Sequence, residues 1–369
     1  MPDSHDLAVI GGGLVGSAIA WGAARLGADV ALLDEGDVAF RAARGNFGLV
    51  WVQSKGDGLP PYANWTRRSA ALWPDLAAEL SSMTGTDVAL RQPGGLHFCL
   101  SEQEVEQRAA MISRMHNATG DIGTRLLDRG DVRAMVPGLG PQVQGAAYCP
   151  KDGHANPLLL LRALQAGFRR HRGRYLPGAR IERITPRGAD FAIELGTTHI
   201  VVRRIVIAAG LGSATLAPLV GLSMPVRPVR GQIMVTERLR PLLDWPTAQI
   251  RQTVEGSIMI GDSHEDVGFD EGTSATEMQR IAARALATFP ALGQAQIVRH
   301  WGALRVMTQD GAPIYEQSGQ YPGAFAATCH SGVTLAGSHA LALAPAILDG
   351  MLPDELRAFT SERFHVPTV

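Results

Sequence analysis

Lysine is nearly missing from this chain. Of its 34 basic residues among 369, only Lys55 and Lys151 are lysine and the rest are arginine. The skew fits a GC-rich genome and carries no functional weight by itself. Cysteine is almost as scarce, with Cys99, Cys149 and Cys329 far apart in the sequence. No CxxC or Cys/His ligand spacing occurs, which argues against a zinc site or an iron–sulfur cluster, so no metal is expected. An odd, sparse set of thiols also fits a reducing compartment better than a disulfide scaffold. Neither charge sign dominates: 34 basic residues face 35 acidic ones, a formal charge of −1. That balance argues against nucleic-acid binding through net charge. Long hydrophobic runs are lacking too. The most apolar late stretch, 333–352, includes His339, Asp349 and two glycines, and reads as a buried helix rather than a membrane span. The N-terminus has no basic region of the kind that opens a signal peptide. Together these absences point to a soluble, cytoplasmic chain without a transmembrane segment. At roughly 100–200 residues per domain, its length suggests two or three folding units.

What is present starts near the N-terminus. Leu7-Ala8-Val9-Ile10 is a short apolar run of the kind found in buried parallel strands, and it ends at Gly11-Gly12-Gly13. An Ala-rich helical segment, Leu14 to Leu26, stops at Gly27, and a second apolar strand, Asp29 to Leu33, closes on Asp34. This is one βαβ unit. Within it, Gly11-x-Gly13-x-x-Gly16 sits at the turn between strand and helix. Gly11 allows the tight turn, Gly13 admits a pyrophosphate close to the backbone, and Gly16 lets helix and strand approach. The helix N-terminus then faces phosphate, while Asp34 accepts from a ribose hydroxyl and would repel a 2′-phosphate. The unit therefore reads as a dinucleotide site that disfavours NADP and leaves NAD and FAD open.

Further along, Arg41 to Pro61 is irregular and Gly-rich and reads as a long functional loop. Asn64 to Thr84 and Ser101 to Asn117 read as helices. Ile200 to Ala209, Pro225 to Val235, Ser257 to Gly261 and Ala324 to Thr328 read as strands. Arg169-Arg170-His171-Arg172 reads as a solvated helix end.

Several distant segments carry a resemblance. They are Val9 to Gly16, Asp152-Gly153-His154-Ala155-Asn156-Pro157, Ile207-Ala208-Ala209-Gly210-x-x-Ser213 and Pro228-Val229-Arg230-Gly231-Gln232. Trp301-Gly302-x-x-Arg305 and Asp310-Gly311-x-Pro313-Ile314 complete the set. In this order the chain resembles the D-amino-acid-oxidase-like flavoproteins, which include glycine oxidase and sarcosine oxidase. Arg44 to Trp51 and His330 to Ala336 resemble one branch most. That branch holds the flavin-carrying β subunits of opine (octopine, nopaline) dehydrogenases and of D-hydroxyproline dehydrogenase.

The resemblance implies an α/β plus α+β fold, in which a Rossmann-like FAD-binding domain is interleaved with a substrate domain on a mixed or antiparallel sheet. The FAD part is expected over 1–85, 145–222 and 305–369, the substrate part over 86–144 and 223–304. Gly11, Gly13, Leu14, Val15 and Gly16 match the pyrophosphate turn, and Asp34 with Glu35 the ribose end. Arg44, Gly45, Asn46, Phe47 and Gly48 match the segment that wraps the pyrophosphate and reaches the flavin. Ile181 matches the apolar residue at adenine, and Ala209, Gly210 and Ser213 the second glycine segment. Gly332, Val333 and Thr334 match the stretch whose N–H groups meet the flavin N1–C2=O edge, where a helix N-terminus favours the anionic reduced ring. Cys329 falls away from the cysteine that carries covalent flavin in sarcosine oxidase, so non-covalent FAD is expected. The segment Cys329 to Gly332 is also shorter than the usual family loop.

For chemistry, the resemblance makes Arg305 the carboxylate clamp and places His330 at the flavin face, where it can order the substrate amine. Tyr148, His154 and Trp301 are weaker substrate-site candidates, since aromatic and His residues near strand ends usually pack. The implied reaction moves hydride from a C–H beside nitrogen to flavin N5 in a small amino or imino acid. Sarcosine-oxidase-like members activate oxygen with a lysine in the region here spanned by Arg251 to Ser263. Neither Lys55 nor Lys151 falls there, which favours a dehydrogenase passing electrons to partner subunits. A stand-alone oxidase that makes hydrogen peroxide and a non-catalytic FAD-binding subunit remain the alternatives.

Overall fold

In the computed structural model, residues 3–36, 42–196 and 198–364 are described. Arg41, where the irregular stretch is expected to begin, lies outside them. The largest sheet is mixed and eight-stranded. Its parallel centre is β1 (Asp3–Ile10), β2 (Val30–Asp34), β8 (Arg174–Pro177), β11 (Thr198–Ile207) and β17 (Ala324–Thr328). β16 (Ile314–Gln317) closes one edge antiparallel, which gives the order β16-β17-β11-β1-β2-β8. The hairpin of β9 (Arg183–Arg187) and β10 (Asp190–Leu195) joins β11. The central residues are apolar on both faces, as a doubly covered sheet requires.

A second region holds two antiparallel sheets. One is built from β12 (Arg227–Arg238), β13 (Ile250–Gln252), β14 (Ser257–Ile260) and β15 (Ile297–Met307), in the order β13-β14-β12-β15. The other joins β4 (Gly95–Cys99), β6 (Gly145–Cys149) and β5 (Arg125–Asp128). Leu96, Phe98, Ala146, Met234, Ile258 and Phe289 share one core between them. A two-stranded pairing of β3 (Leu49–Val50) with β7 (Gly153–His154) ties the two regions together. The fold is the expected α/β class with an antiparallel sheet region beside a Rossmann-like core.

Helices cover one face of the large sheet, with Pro157–Arg170 packed against the first helix and β8. The first, Leu14–Arg25, is Ala-rich and ends where Gly27 turns with φ +90°. The second, Pro60–Thr84, starts on two prolines and stops at Gly85, φ +70°. Pro74 lies inside it and cannot donate to the Ala70 carbonyl four residues back. The Gln92 side-chain amide donates to that carbonyl instead, at 3.0 Å, so the freed group is not orphaned. The last helix spans Ala336–Asp349 with a π-helical stretch, His339–Leu343, just before Pro345. Pro345 leaves the Leu341 carbonyl without its usual donor, and the helix widens there. The start of this helix region, Gly332 to Leu335, is a turn rather than helix.

Close contact between the first and last helices depends on Gly22. A Cβ there would lie 2.1 Å from the Ala340 carbonyl oxygen. Gly22→Val should therefore force the helices apart. Overpacking of this kind costs about 1–3 kcal/mol, which lowers Tm by roughly 1–4 °C in a protein of this size. Thermal unfolding followed by circular dichroism measures it, and an unchanged Tm would mean that the two helices do not need this contact.

Candidate functional site

A cavity of about 580 Å³ opens at the carboxyl ends of β1, β2, β11 and β17. Parallel strands end there in short turns, which is where open α/β sheets leave room for ligands. Gly11, Gly13, Leu14, Val15, Asp34 and Glu35 line one part. Asn46, Ile181, Ala209, Gly210, His330 and Gly332 line others. Thus twelve of the expected site residues share one cavity wall.

The glycines differ in why they are glycine. Gly11 has φ +113° and its Cβ would sit 2.3 Å from the Ala208 carbonyl oxygen, so β1 and β11 meet only because it has none. A Cβ at Gly13, in contrast, would meet nothing within 4 Å. The protein leaves that space open in the cavity wall, in front of the first helix, where a pyrophosphate belongs. Asp34 closes the far side. Its carboxylate accepts from Gly12 N at 2.6 Å and Gly36 N at 2.9 Å, and the residue lines the cavity, where a ribose acceptor is expected.

Other expected residues support the wall rather than form it. Gly16 packs on the Gly11 carbonyl, where a Cβ would stand at 1.9 Å. Gly45 lies against Ala303, and Gly48, φ +90°, against the Ala155 carbonyl. Asn46 accepts from Gly48 N at 2.8 Å and so turns the 44–48 segment, in which Arg44 is exposed. Phe47 stacks under the Arg251 guanidinium, 5.7 Å from ring centre, and Ser213 is buried. The Thr334 hydroxyl bridges Leu49 O and Trp51 N, at 3.0 and 3.2 Å, and Val333 is buried with its carbonyl on Trp73 Nε1. Among the described residues, no acceptor takes the N–H groups of Gly332, Val333 and Thr334. An unclaimed row of donors ahead of a buried helix, a cradle at Gly13 and an acceptor at Asp34 together fit FAD.

Beside this cavity stands a cluster of ionisable groups. The Arg305 side chain on β15 lies across Gly231 of β12, where a Cβ would be 2.3 Å from both terminal guanidinium nitrogens. Its Nη1 donates to Ser263 O at 2.7 Å and its Nη2 to Asp262 Oδ2 at 2.8 Å. His330 has Nε2 at 2.8 Å from Lys55 Nζ and 3.3 Å from Ser331 Oγ, and Ser331 Oγ is 3.1 Å from Tyr62 OH. Burial, with Lys55 and Arg305 near, holds the His330 imidazole well below its usual range, so it is neutral and accepts from the lysine. Burial likewise brings the Lys55 ammonium down to about 8, with Arg305 adding to the shift and Cys329 and Asp262 opposing it.

Lys55 is the residue that sequence reasoning misses. Its position outside Arg251 to Ser263 excludes it from the flavin face on motif grounds, yet the fold sets it beside His330 and within electrostatic reach of Asp262 and Arg305. The cause is Asp152, whose buried carboxylate accepts from Val52 N at 2.5 Å, Gln53 N at 3.2 Å and Gln53 Nε2 at 2.7 Å. A turn from Lys55 N to Val52 O, 3.1 Å, then presents the lysine. Asp262 escapes notice as well, since a lone acid after a strand carries no motif.

The weaker candidates divide. Tyr148 is not brought to the cavity: its hydroxyl donates to Pro93 O at 3.1 Å and Arg125 covers its ring, so it packs over the Gly94 turn. His154 is buried behind the Phe47 segment, with Nδ1 3.5 Å from Arg251 Nη1, and burial with Arg251 lowers it to about 4. Trp301 stands near Gly45, with its buried indole N–H unpaired. The cavity wall also includes Cys329, Arg180, Val306 and Phe269, which no motif marks. No cluster of three metal-binding side chains occurs among the described residues, nor any helix long and apolar enough to cross a membrane.

Comparison with known proteins shows the family. Residues 6–346 match the DAO family model, described as FAD dependent oxidoreductase. The chain belongs to that family. It is 45% identical over 364 residues to an opine oxidase subunit of Rhizobium meliloti, covering 97% of both chains. It is similarly 45% identical to the corresponding opine oxidase subunit of Agrobacterium tumefaciens, over 98% of each. Glycine oxidase from Geobacillus kaustophilus matches as a sequence at 27% identity over 89% of each chain. A crystal structure of glycine oxidase from that organism superposes with TM-score 0.90 at 25% identity, over 99% of this chain and 100% of the other. FAD is therefore the cofactor of this fold.

Two substitutions separate cofactor binding from folding. Gly13→Val enters open space and should leave the polypeptide folded while excluding the pyrophosphate. Asp34→Ala removes the ribose acceptor. A charged hydrogen bond contributes roughly 1.5–3 kcal/mol, so FAD affinity should fall about tenfold or more. The ratio of 450 to 280 nm absorbance after gel filtration reports both, and full flavin occupancy in either variant would count against the assigned turn.

Proposed function

We propose that this chain is the catalytic, FAD-carrying subunit of an enzyme that oxidises the C–N bond of a carboxylate-bearing secondary amine, an opine or a D-imino acid such as D-hydroxyproline. The observation that carries this reading is the Arg305 guanidinium, half-buried within electrostatic reach of His330 on the cavity wall. When bound, FAD supplies a two-electron acceptor for the C–H beside nitrogen. Arg305 holds the substrate carboxylate and so fixes the α-carbon, with Asp262 keeping the guanidinium in place until substrate arrives. Neutral His330 orders the amine and accepts an N–H rather than repelling it. The free N–H groups of Gly332 to Thr334 favour negative charge at the cofactor edge. The cofactor stays non-covalent in this reading, because burial pushes the Cys329 thiol up to about 12 and keeps it un-ionised.

The division into an FAD-binding part and a substrate part belongs to the same proposal. Residues 145–149 group with the substrate part, since β6 pairs with β4 and β5. Electron transfer to other polypeptides is supported by the relatives' being named as one subunit of opine oxidase. One observation favours a second reading, direct transfer to oxygen: Lys55, one of two lysines, lies against His330.

Anaerobic mixing with octopine, nopaline, D-hydroxyproline, D-proline and sarcosine tests catalysis, since a true substrate bleaches the flavin. No bleaching by any amino or imino acid would leave a cofactor-binding subunit. The reduced chain alone should react with oxygen more slowly than with an acceptor dye. Peroxide formed as fast as dye is reduced would establish the oxidase. For the clamp, Arg305→Ala strips a charge-assisted contact and leaves Asp262 unpaired against the substrate carboxylate. Such truncations cost about 2–5 kcal/mol, so kcat/KM should drop about 30- to several-thousandfold at unchanged flavin content. Retained efficiency would make Arg305 structural.

A further inference from the structure

The substrate amine needs an acceptor that His330 does not have while Lys55 is charged. A neutral imidazole has one N–H and one lone pair. Its Nε2 stands 2.8 Å from Lys55 Nζ, and a charged lysine can only donate there. The ring proton is then on Nδ1, and no lone pair is left for the amine. Nδ1 itself is buried and has no hydrogen-bond partner among the described residues. The groups around the pair come from several segments. Cys329 precedes His330, and Ser331 follows it, with Oγ 3.3 Å from Nε2 and 3.1 Å from the hydroxyl of Tyr62 on the helix Pro60–Thr84. Arg305 lies on β15, Asp262 and His264 follow β14, and the Gly311 carbonyl is near the imidazole. His330 lines the cavity and Lys55 does not, so the imidazole is the link between the lysine and a ligand.

We infer that His330 and Lys55 form a two-residue proton relay, in which Nδ1 takes a proton from the substrate ammonium while Nε2 passes its own to the Lys55 amine. This rests on the reading that His330 orders the substrate amine. In the step the substrate N–H bond breaks and an Nδ1–H bond forms, while the Nε2–H bond breaks and an Nζ–H bond forms. The lysine ends as an ammonium and the imidazole is neutral before and after. The substrate nitrogen keeps the electron pair that loss of hydride from its neighbouring carbon requires. Two features suit the pair to this step. Burial, with Lys55 and Arg305 near, penalises an imidazolium against a smaller pull from the Gly311 carbonyl, so the ring hands a proton on instead of storing it. Lys55 is half-buried, and water can take the proton from it before the next turnover. Lys55 is then a positioning residue whose protonation state decides which ring nitrogen is the acceptor. Burial brings its ammonium to about 8, so the relay is closed below that pH and open above it.

The tautomer can be read without any substrate. In the oxidised holoenzyme with isotope-labelled histidine, long-range proton–nitrogen correlation spectra tell protonated from unprotonated ring nitrogens, and His330→Gln assigns the signals. The proton should move from Nδ1 to Nε2 as pH rises through about 8, and Lys55→Met should remove that switch. The kinetic arm uses whichever of octopine, D-hydroxyproline and sarcosine bleaches the flavin anaerobically. At limiting amine the bleaching rate should climb about tenfold per pH unit and level near pH 8. Lys55→Met should lose that climb and bleach about a hundredfold or more slowly above it, at unchanged flavin content. Lys55→Arg keeps a donor at Nε2 but does not release its proton in this range, so it should be as slow as Lys55→Met. A lysine that merely props the imidazole would be replaced by arginine, and a wild-type rate in Lys55→Arg would overturn the inference. So would loss of the climb in His264→Gln instead, which would move the acceptor to that residue. If the amines bleach the flavin while the tautomer stays fixed at every pH, the relay fails and the functional reading stands. If none of them bleaches the wild type, both fail.

Discussion

A buried carboxylate, Asp152, holds the active end of this molecule together. Three donors from Val52 and Gln53 converge on it, in a place without water contact. Leaving such donors unpaired costs about 1–3 kcal/mol each, comparable to a large part of a protein's net stability. Burial raises its carboxyl to about 7, against the pull of those hydrogen bonds. The neighbouring contacts extend the same seam: β3 pairs with β7, Ala155 N reaches Gly48 O at 2.9 Å, and Asn156 N reaches Val88 O at 2.9 Å. One motif, Asp152 to Pro157, thus anchors the loop of the cofactor side and begins the helix Pro157–Arg170, which Asn156 caps.

Charge in the second region is arranged to keep Arg305 available. Arg230, a neighbour of Gly231, is held at both terminal nitrogens, by Glu265 at 2.7 Å and Asp270 at 2.5 Å. Glu265 also takes Gln232 and Ser263, and these bonds hold it near 2 despite the opposing effect of burial. Arg305 is tied more lightly, by a single carboxylate and a backbone carbonyl. Two arginines on adjacent antiparallel strands therefore differ in role because their acceptors differ. The first is locked into scaffold, and the second is the one that the proposed function makes a carboxylate clamp.

Local patterns carry most of the fold. The apolar run before Gly11, the Ala-rich helix and the strand ending on Asp34 are set by neighbours in sequence, and each forms within a few residues of its expected bounds. Ala324–Thr328 forms with the bounds its small and apolar residues indicate. The site is legible where backbone geometry demands glycine and illegible where it depends on long-range delivery. Lys55 reaches His330, 275 residues away, only through the Asp152 seam. Tyr148 misleads for the opposite reason. Nearby His154 enters the interior, but β6 turns the tyrosine onto the Pro93–Gly94 turn. The π-helical stretch before Pro345 needs the packed helix pair to show where the proline is absorbed.

Gly231 has a consequence that reaches beyond this chain. Its missing Cβ is the floor on which the Arg305 guanidinium lies, at a separation where a Cβ would push that guanidinium aside. The side chain at 231 therefore sets where the guanidinium at 305 can lie. A methyl group at 231 would lift the charge off its floor, and an arginine lost at 305 would leave a hollow above the strand. Among descendants of this sequence, a change in one position should be inherited with a change in the other, and with it a new depth for the anion that the site receives.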